Sequence, residues 1–429
     1  MQVLKNVNIK FKKEFDTGNY FAGTMLFGIA VFAPFFRRIV PLLIAILTIH
    51  YLFFQIRNKS TKKQILINHL RNNIPVVFMI LFFILYCIGI SYTSYVDLGI
   101  TDIILKLPIL LIPLFYLSPD YSKKHLPSRD LILYGITIGS TICMLYCFIR
   151  ALYLYFTTDI GNSIFFYTSF SPLEHTTYVS FFMNISLLWV LFKRKLFIYV
   201  SYPLAYLLIL TILLLSSRMG IITMSLIFTY YIAERLFIKK KIISSLIMVV
   251  IILLSIFLVF SNSNRLMSKL SIFFSEIKKE VNIQEQKKTT EDVRITIWKT
   301  AYKQFSKKPL FGYGTGSAKQ EMIKSYKEEK LKRFYENKWN AHNQFLQTGI
   351  DIGVIGIIIL LLILGFSFYK GFYNRDIILI SFALITFLNF LPESILEIQS
   401  GVTIFALLFP VIIKDSKKNN KKKASKAFL

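Results

Sequence analysis

The chain has 429 residues, 55% of them hydrophobic and 17% charged, with a formal net charge of +28. Its mean hydropathy of +0.55 excludes an ordinary soluble domain, in which about half the residues are apolar and about a quarter charged. The positive charge does not point to nucleic acid, because the lysines and arginines gather at the ends of apolar segments instead of forming a basic domain with stacking aromatics.

In chain order, apolar runs extend from Tyr20 to Phe36, Pro41 to Phe54, Pro75 to Tyr92, Ile100 to Leu117 and Leu131 to Phe156. Most approach the roughly 20 residues that cross a bilayer as a helix. Further runs follow from Thr177 to Leu191, Phe197 to Leu215, Met219 to Ala233, Ile242 to Phe260, Phe345 to Phe368, Ile377 to Phe390 and Val402 to Ile413. The expected fold is an all-α polytopic membrane protein of about twelve transmembrane helices. The first run follows a basic stretch, as in a signal peptide, but Ala33 stands between the bulky Val31 and Phe35, so no small-residue cleavage site is evident and retention is expected.

Basic clusters orient these spans. Lys5, Lys10, Lys12 and Lys13 precede the first; Arg57, Lys59, Lys62, Lys63 and Arg71 follow the second; Lys123, Lys124 and Arg129 follow the fourth. The series continues with Lys193, Arg194 and Lys195, then Arg235 and Lys239 to Lys241, then Lys370 and Arg375, and finally the tail. Every second loop is basic, which the positive-inside rule assigns to the cytoplasm together with both termini. The chain reads as one integral membrane domain, 1–429, with a long outer loop, 261–344, between spans nine and ten. The basic tail, 414–429, is expected to be disordered and drawn to anionic headgroups. Cys87, Cys143 and Cys147 fall in apolar runs and read as packing residues, without disulfide or metal-ligand spacing.

The same alternation places the loop Tyr92–Leu98, the segment at Glu174 and His175, the turn Ser216-Ser217-Arg218, the long loop and the segment Leu391–Gln399 on the outer face. In the long loop, Arg294, Ile297, Trp298, Ala301 and Phe305 have helical spacing, predicting an amphipathic helix that ends before Pro309 and lays its apolar face on the membrane. Gly312-Tyr313-Gly314-Thr315-Gly316 reads first as a turn and second as an anion-binding run of amides. No Walker lysine follows it. The charged stretch from Glu321 to Tyr335 reads as a solvated helical cover.

Several polar residues carry two readings each. His342 stands at the interface beside a re-entering helix, either capping it or accepting a proton from a hydroxyl. Arg218, beside hydrocarbon, calls for an acidic partner or an anionic ligand. Lys106 lies inside an apolar run, either snorkelling or functional. Glu393 and Glu397 suit structural ion pairing, with cation binding or orientation of His342 or Arg218 as alternatives. Asp97 and Asp102 look isolated, in capping or snorkelling roles, and Arg37 and Arg38 have no assigned role.

The order of these features resembles the O-antigen ligase and O-antigen polymerase superfamily of bacterial envelope glycan transferases. The resemblance rests on Lys106, His175-Thr176-Thr177-Tyr178, Ser217-Arg218-Met219-Gly220, Arg294 with Trp298, and Pro309-Leu310-Phe311-Gly312-Tyr313-Gly314. His342-Asn343-Gln344-Phe345-Leu346, then Gly349, Gly353 and Gly356, and finally Glu393, Glu397 and Gly401 complete it.

The resemblance implies a GT-C-like fold with a large helical periplasmic loop in the bacterial inner membrane. It also implies an inverting, metal-independent glycosyltransferase that moves a glycan from undecaprenyl diphosphate to an acceptor hydroxyl, here lipid A-core. The expected roles are His342 as general base and Arg218 and Arg294 as the diphosphate clamp, with Lys106 supporting the departing diphosphate or holding a nearby helix. His175, Tyr178, Asn343, Glu393 and Glu397 are placed around the substrate channel or in support, with no metal and no cofactor. The expected partners are the lipid-linked glycan, its acceptor and membrane lipids. A polymerase that joins one lipid-linked glycan to a second is the alternative, and a glycolipid transporter is a further one.

Overall fold

Proline sets where several helices begin, since its missing N–H costs nothing in a first turn. In the computed structural model, which describes residues 20–57, 63–159, 161–192, 198–238, 249–250 and 290–427, Pro75, Pro108 and Pro119 all occupy first-turn positions. The first helices are α1 (Tyr20–Phe32), α2 (Val40–Arg57), α3 (Lys63–Arg71), α4 (Ile74–Gly89), α5 (Val96–Lys106), α6 (Pro108–Leu117), α7 (Pro119–His125) and α8 (Arg129–Thr157). After a single turn at Tyr167–Phe170 come α9 (Thr176–Phe192), α10 (Ile198–Leu214) and α11 (Arg218–Ala233). The last are α12 (Thr290–Lys307), α13 (Ala318–Glu328), α14 (Lys332–Glu336), α15 (Gln344–Tyr373), α16 (Ile377–Phe390) and α17 (Gln399–Ala427). Among the described residues no strand occurs.

Among the described residues, six helical stretches are long and apolar enough to cross a bilayer: Arg37–Arg57, Ile74–Tyr92, Val96–Leu117, Arg129–Thr157, Gln344–Tyr373 and Gln399–Ser416. Shorter apolar helices occupy Phe21–Phe32, Thr176–Phe192, Val200–Leu214 and Ile377–Phe390, where further spans were expected. The chain is therefore an all-α membrane protein. The expected span from Ile242 to Phe260 lies, apart from positions 249–250, outside the described residues, as does the first part of the long loop. α17 runs on to Ala427, so the tail expected to be disordered continues as helix.

The chain divides into two compact units, one made of 1–14, 34–36 and 133–287, the other of 15–33, 37–132 and 288–429. In the first, α9 packs against α10 and α11 and is buried from Thr176 to Leu191. Two of its polar side chains find partners within the unit: Ser186 Oγ bonds to Ser140 Oγ of α8 at 2.9 Å, and the Asn184 amide donates to the Gly220 carbonyl at 3.0 Å. In the second unit α15 packs on α4 and α16, α17 packs on α6, and α1 packs on α2. A buried Arg129–Asp376 pair joins the segments before α8 and α16, and Asp415 accepts from the Arg129 N–H at 2.7 Å.

The part of the long loop that is described folds on a core of its own. Val293, Ile297 and Ala301 of α12 meet Ala318, Met322 and Tyr326 of α13, with Phe334, Ala341 and Ile350 closing the cluster. The apolar face of α12 is thus buried against protein, not laid on the membrane as expected. The stretch read as one solvated cover is two helices, α13 and α14, with an inward apolar face. Full burial of side chains such as Met322 or Phe334 stabilises by about 1.5–3 kcal/mol each, more than a wet membrane surface offers a half-covered helix.

The glycine segment fastens this loop core to the helices. Gly312, Gly314 and Gly316 all have positive φ. A side chain at Gly312 would strike the backbone of Ile350 and Asp351, and one at Gly316 the backbone of Leu98 and Gly99. The Tyr313 and Gly314 amides donate to the Ile350 and Asp351 carbonyls at 2.8 Å each, and the Thr315 amide to the Gly89 carbonyl at 3.2 Å. The Ile350 and Asp351 carbonyls are available because α15 bends at Ile352 and Gly353, where non-helical dihedrals interrupt its ladder, and the Gly89 carbonyl because it ends α4. These amides are spent on protein carbonyls, which supports the turn reading and removes the phosphate-binding one.

Candidate functional site

The entry to α15 is built from its own polar residues. Asn343 caps the helix, its side-chain oxygen accepting from the Leu346 amide at 3.0 Å, and its own amide donates to Ser394 Oγ at 3.3 Å. Gln344 is buried, and its side-chain oxygen accepts from the Leu396 amide at 2.7 Å. The segment between α16 and α17 is in this way held against the start of α15.

His342 sits just before that cap in a left-handed backbone conformation, φ 41°, which costs a non-glycine residue about 1–2 kcal/mol. Contacts on both sides hold it there. The Asn340 side chain accepts from the His342 amide, and the Trp298 indole N–H donates to the His342 carbonyl, each at 3.1 Å. The imidazole Nδ1 then meets Glu393 Oε2 at 3.1 Å, while the other oxygen of Glu393 accepts from Arg294 Nη2 at 3.1 Å. Glu393 is almost wholly buried, whereas His342 and Arg294 each keep about a third of the side chain exposed.

A carboxylate at Nδ1 places the ring proton there, which leaves Nε2 as an acceptor. The arrangement can take a proton from a hydroxyl and stabilise the imidazolium that forms. Of the roles left open for Glu393, the geometry supports orienting His342, together with an ion pair to Arg294.

Lys106 does not snorkel. It is fully buried and bonded to Asp102 and, at 2.9 Å, to Glu397. Asp102, read as isolated, is therefore the lysine's partner one helical turn back. Glu397 ends a 3₁₀ turn, Ile395–Glu397, that packs on α5. Burial pushes its carboxyl above the usual range, Lys106 opposes this and Asp102 adds to it. This geometry favours the helix-holding role for Lys106 over one on a leaving group.

Arg218, His175 and Tyr178 fall in the other unit. Arg218 is the exposed first residue of α11, whose start is capped by Ser217 Oγ accepting from the Gly220 amide at 3.3 Å. Gly220 lies so close to Ser180 that a side chain there would meet it at 2.7 Å, which seats the start of α11 on α9. His175 is exposed at the start of α9, its carbonyl accepting from the Tyr178 and Val179 amides, and Tyr178 is buried. His175 thus marks the start of α9.

Residues 203–361 match the family model described as O-antigen ligase. Over that stretch the chain is similar to the O-antigen ligase family, which supports its resemblance to the O-antigen ligase and polymerase superfamily. A search of curated proteins returned no match. The matched stretch runs from Pro203 in α10 to Leu361 in α15, and so contains Arg218, Arg294, Trp298, the glycine segment and His342. The partners of the last element, Glu393, and the whole Lys106 pairing lie outside the match and come from the fold alone.

Asp351 was missed in the sequence. It is a carboxylate inside an apolar run, the same signal that singles out Lys106. The structure buries it completely, with Oδ1 accepting from the Ala318 amide at 2.8 Å. Asp102 carried a second signal, its spacing of four from Lys106 on a helix.

Proposed function

We propose that this chain is an O-antigen ligase-type glycosyltransferase of the bacterial inner membrane. It moves a glycan from undecaprenyl diphosphate to an acceptor hydroxyl on lipid A-core, at the periplasmic face, with both termini in the cytoplasm. The observation that carries the reading is the Arg294–Glu393–His342 arrangement, a proton acceptor oriented by a buried carboxylate beside a half-exposed guanidinium.

In this scheme His342 Nε2 takes the acceptor hydroxyl's proton as the oxygen attacks the anomeric carbon. The bond from that carbon to the diphosphate breaks on the opposite side, which inverts the configuration. Undecaprenyl diphosphate leaves with the electron pair. Its growing negative charge calls for cations, and Arg294 can supply a bidentate fork there. Arg218 keeps its assignment to the diphosphate, and His175 and Tyr178 theirs to the substrate channel, as sequence-level proposals. Asn343 supports His342 by fixing the start of α15, Glu397 supports it through the turn that carries Glu393, and Lys106 holds Glu397. No step is routed through a metal or cofactor.

The test is transfer by purified protein in liposomes, comparing wild type with His342→Ala, with an undecaprenyl diphosphate glycan as donor. Product on lipid A-core that disappears in the variant supports the ligase. Product only on a second lipid-linked glycan means a polymerase using the same base. Full turnover by His342→Ala sinks the assignment, and labelled lipid that crosses the bilayer without transfer revives the transporter.

A further inference from the structure

The side chains of Asp102, Lys106, Asp351 and Glu397 meet where α5, the bend of α15 and the turn before α17 come together. Carboxylate oxygens of Asp102, Asp351 and Glu397 lie within 4.8 Å of one another. Lys106 is bonded to Asp102 Oδ1 and Glu397 Oε1. When all four are ionised, three negative charges face one positive charge, and two remain uncompensated. Asp102 is 8% exposed, Asp351 1% and Lys106 0%, so water does little to screen that excess.

A second observation comes from the unused atoms. Asp102 Oδ2 and Asp351 Oδ2 are buried without a hydrogen-bond partner among the described residues, and so is the hydroxyl of Tyr86. Tyr86 is fully buried, and its ring centroid is 4.7 Å from Lys106 Nζ. A buried carboxylate oxygen without a partner loses its hydration for nothing, and such orphans in native proteins commonly mark an ion or water. The ammonium of Lys106 is already committed to the other oxygens of Asp102 and Glu397.

We propose that Asp102, Asp351 and Glu397 bind a divalent cation of the calcium class beside Lys106, with the two unpartnered Oδ2 atoms as ligands. A single divalent ion removes the excess charge of the cluster. Oxygens that lie within 4.8 Å of one another can share one cation, and calcium's adaptable coordination suits donors drawn from three separate elements. The ion ties α5 to α15 and to the turn that follows Glu393 by four residues. Its role is to brace that turn, and it stands whether or not the transfer chemistry above is right.

The experiment uses full-length protein in detergent, exchanged into calcium and then freed of unbound metal. Elemental analysis of the wild type should find about one calcium per chain, and a calcium chelator should lower the thermal midpoint by several degrees. Asp351→Asn, which keeps the side-chain shape, should lose both the bound calcium and the response. Lys106→Met, which removes a like charge beside the ion, should bind calcium about tenfold more tightly. Wild type that carries no calcium and unfolds at the same temperature with or without it overturns the proposal, because protons on the carboxyls then balance the cluster. A calcium response that persists in Asp351→Asn also overturns it. If Asp351→Asn does not fold, Asp102→Asn is read the same way.

Discussion

Replacing Glu393 with Gln leaves the shape of the His342 site in place and removes the charge that the imidazolium needs. Nδ1 and Glu393 Oε2 are 3.1 Å apart, so at an effective dielectric of about 20 the full-charge attraction is about 5 kcal/mol. His342 is about one-third exposed, and solvent screening reduces this to about 2–3 kcal/mol. At about 1.36 kcal/mol per decade, kcat should fall about 30- to 150-fold. The assay is initial-rate transfer under saturating lipid-linked donor, with size-exclusion behaviour in detergent to show that the variant is folded. Because Glu393 acts chiefly through His342, with a second contact to Arg294, the loss caused by Glu393→Gln should be much smaller in the His342→Ala background than in the wild type. Wild-type kcat in Glu393→Gln, or losses that multiply in the double variant, would refute the orienting role.

Trp298→Phe deletes the indole N–H that holds the His342 carbonyl at 3.1 Å and should lower kcat about tenfold with little change in thermal midpoint. Arg129→Met strands the buried Asp376 carboxylate and should destabilise by about 3–5 kcal/mol, read in thermal unfolding, while the double variant Arg129→Met, Asp376→Leu recovers most of the loss. Gly353→Ala places a methyl group against the Leu310 carbonyl at a backbone φ of 72°. Its cost of about 2 kcal/mol or more should appear as a lower midpoint, together with easier proteolysis of the loop core.

Patterns in the chain determined the membrane character, since long apolar runs without water to satisfy their backbone can only be helices. They determined the end of α12 before Pro309, because proline cannot donate within a helix. They also picked out His342 and Glu393 as polar residues beside apolar spans, and Arg294 on a loop helix. Sequence spacing does not say which of these touch. Glu393 lies 51 positions after His342 and 99 after Arg294, and only the docking of the turn before α17 onto the start of α15 brings the three together.

The same holds for the errors. The apolar stripe of α12 is equally consistent with lipid or protein beneath it, and only the second stripe on α13 decided for protein. The glycines signalled positive φ, but whether their amides met a phosphate or a carbonyl depended on the bend at Gly353. Lys106 looked like a lone charge in an apolar run because two of its neighbours in space, Asp351 and Glu397, are more than two hundred residues away in sequence. A helix's own pattern says which face is apolar or charged; what meets that face is decided only when distant segments pack.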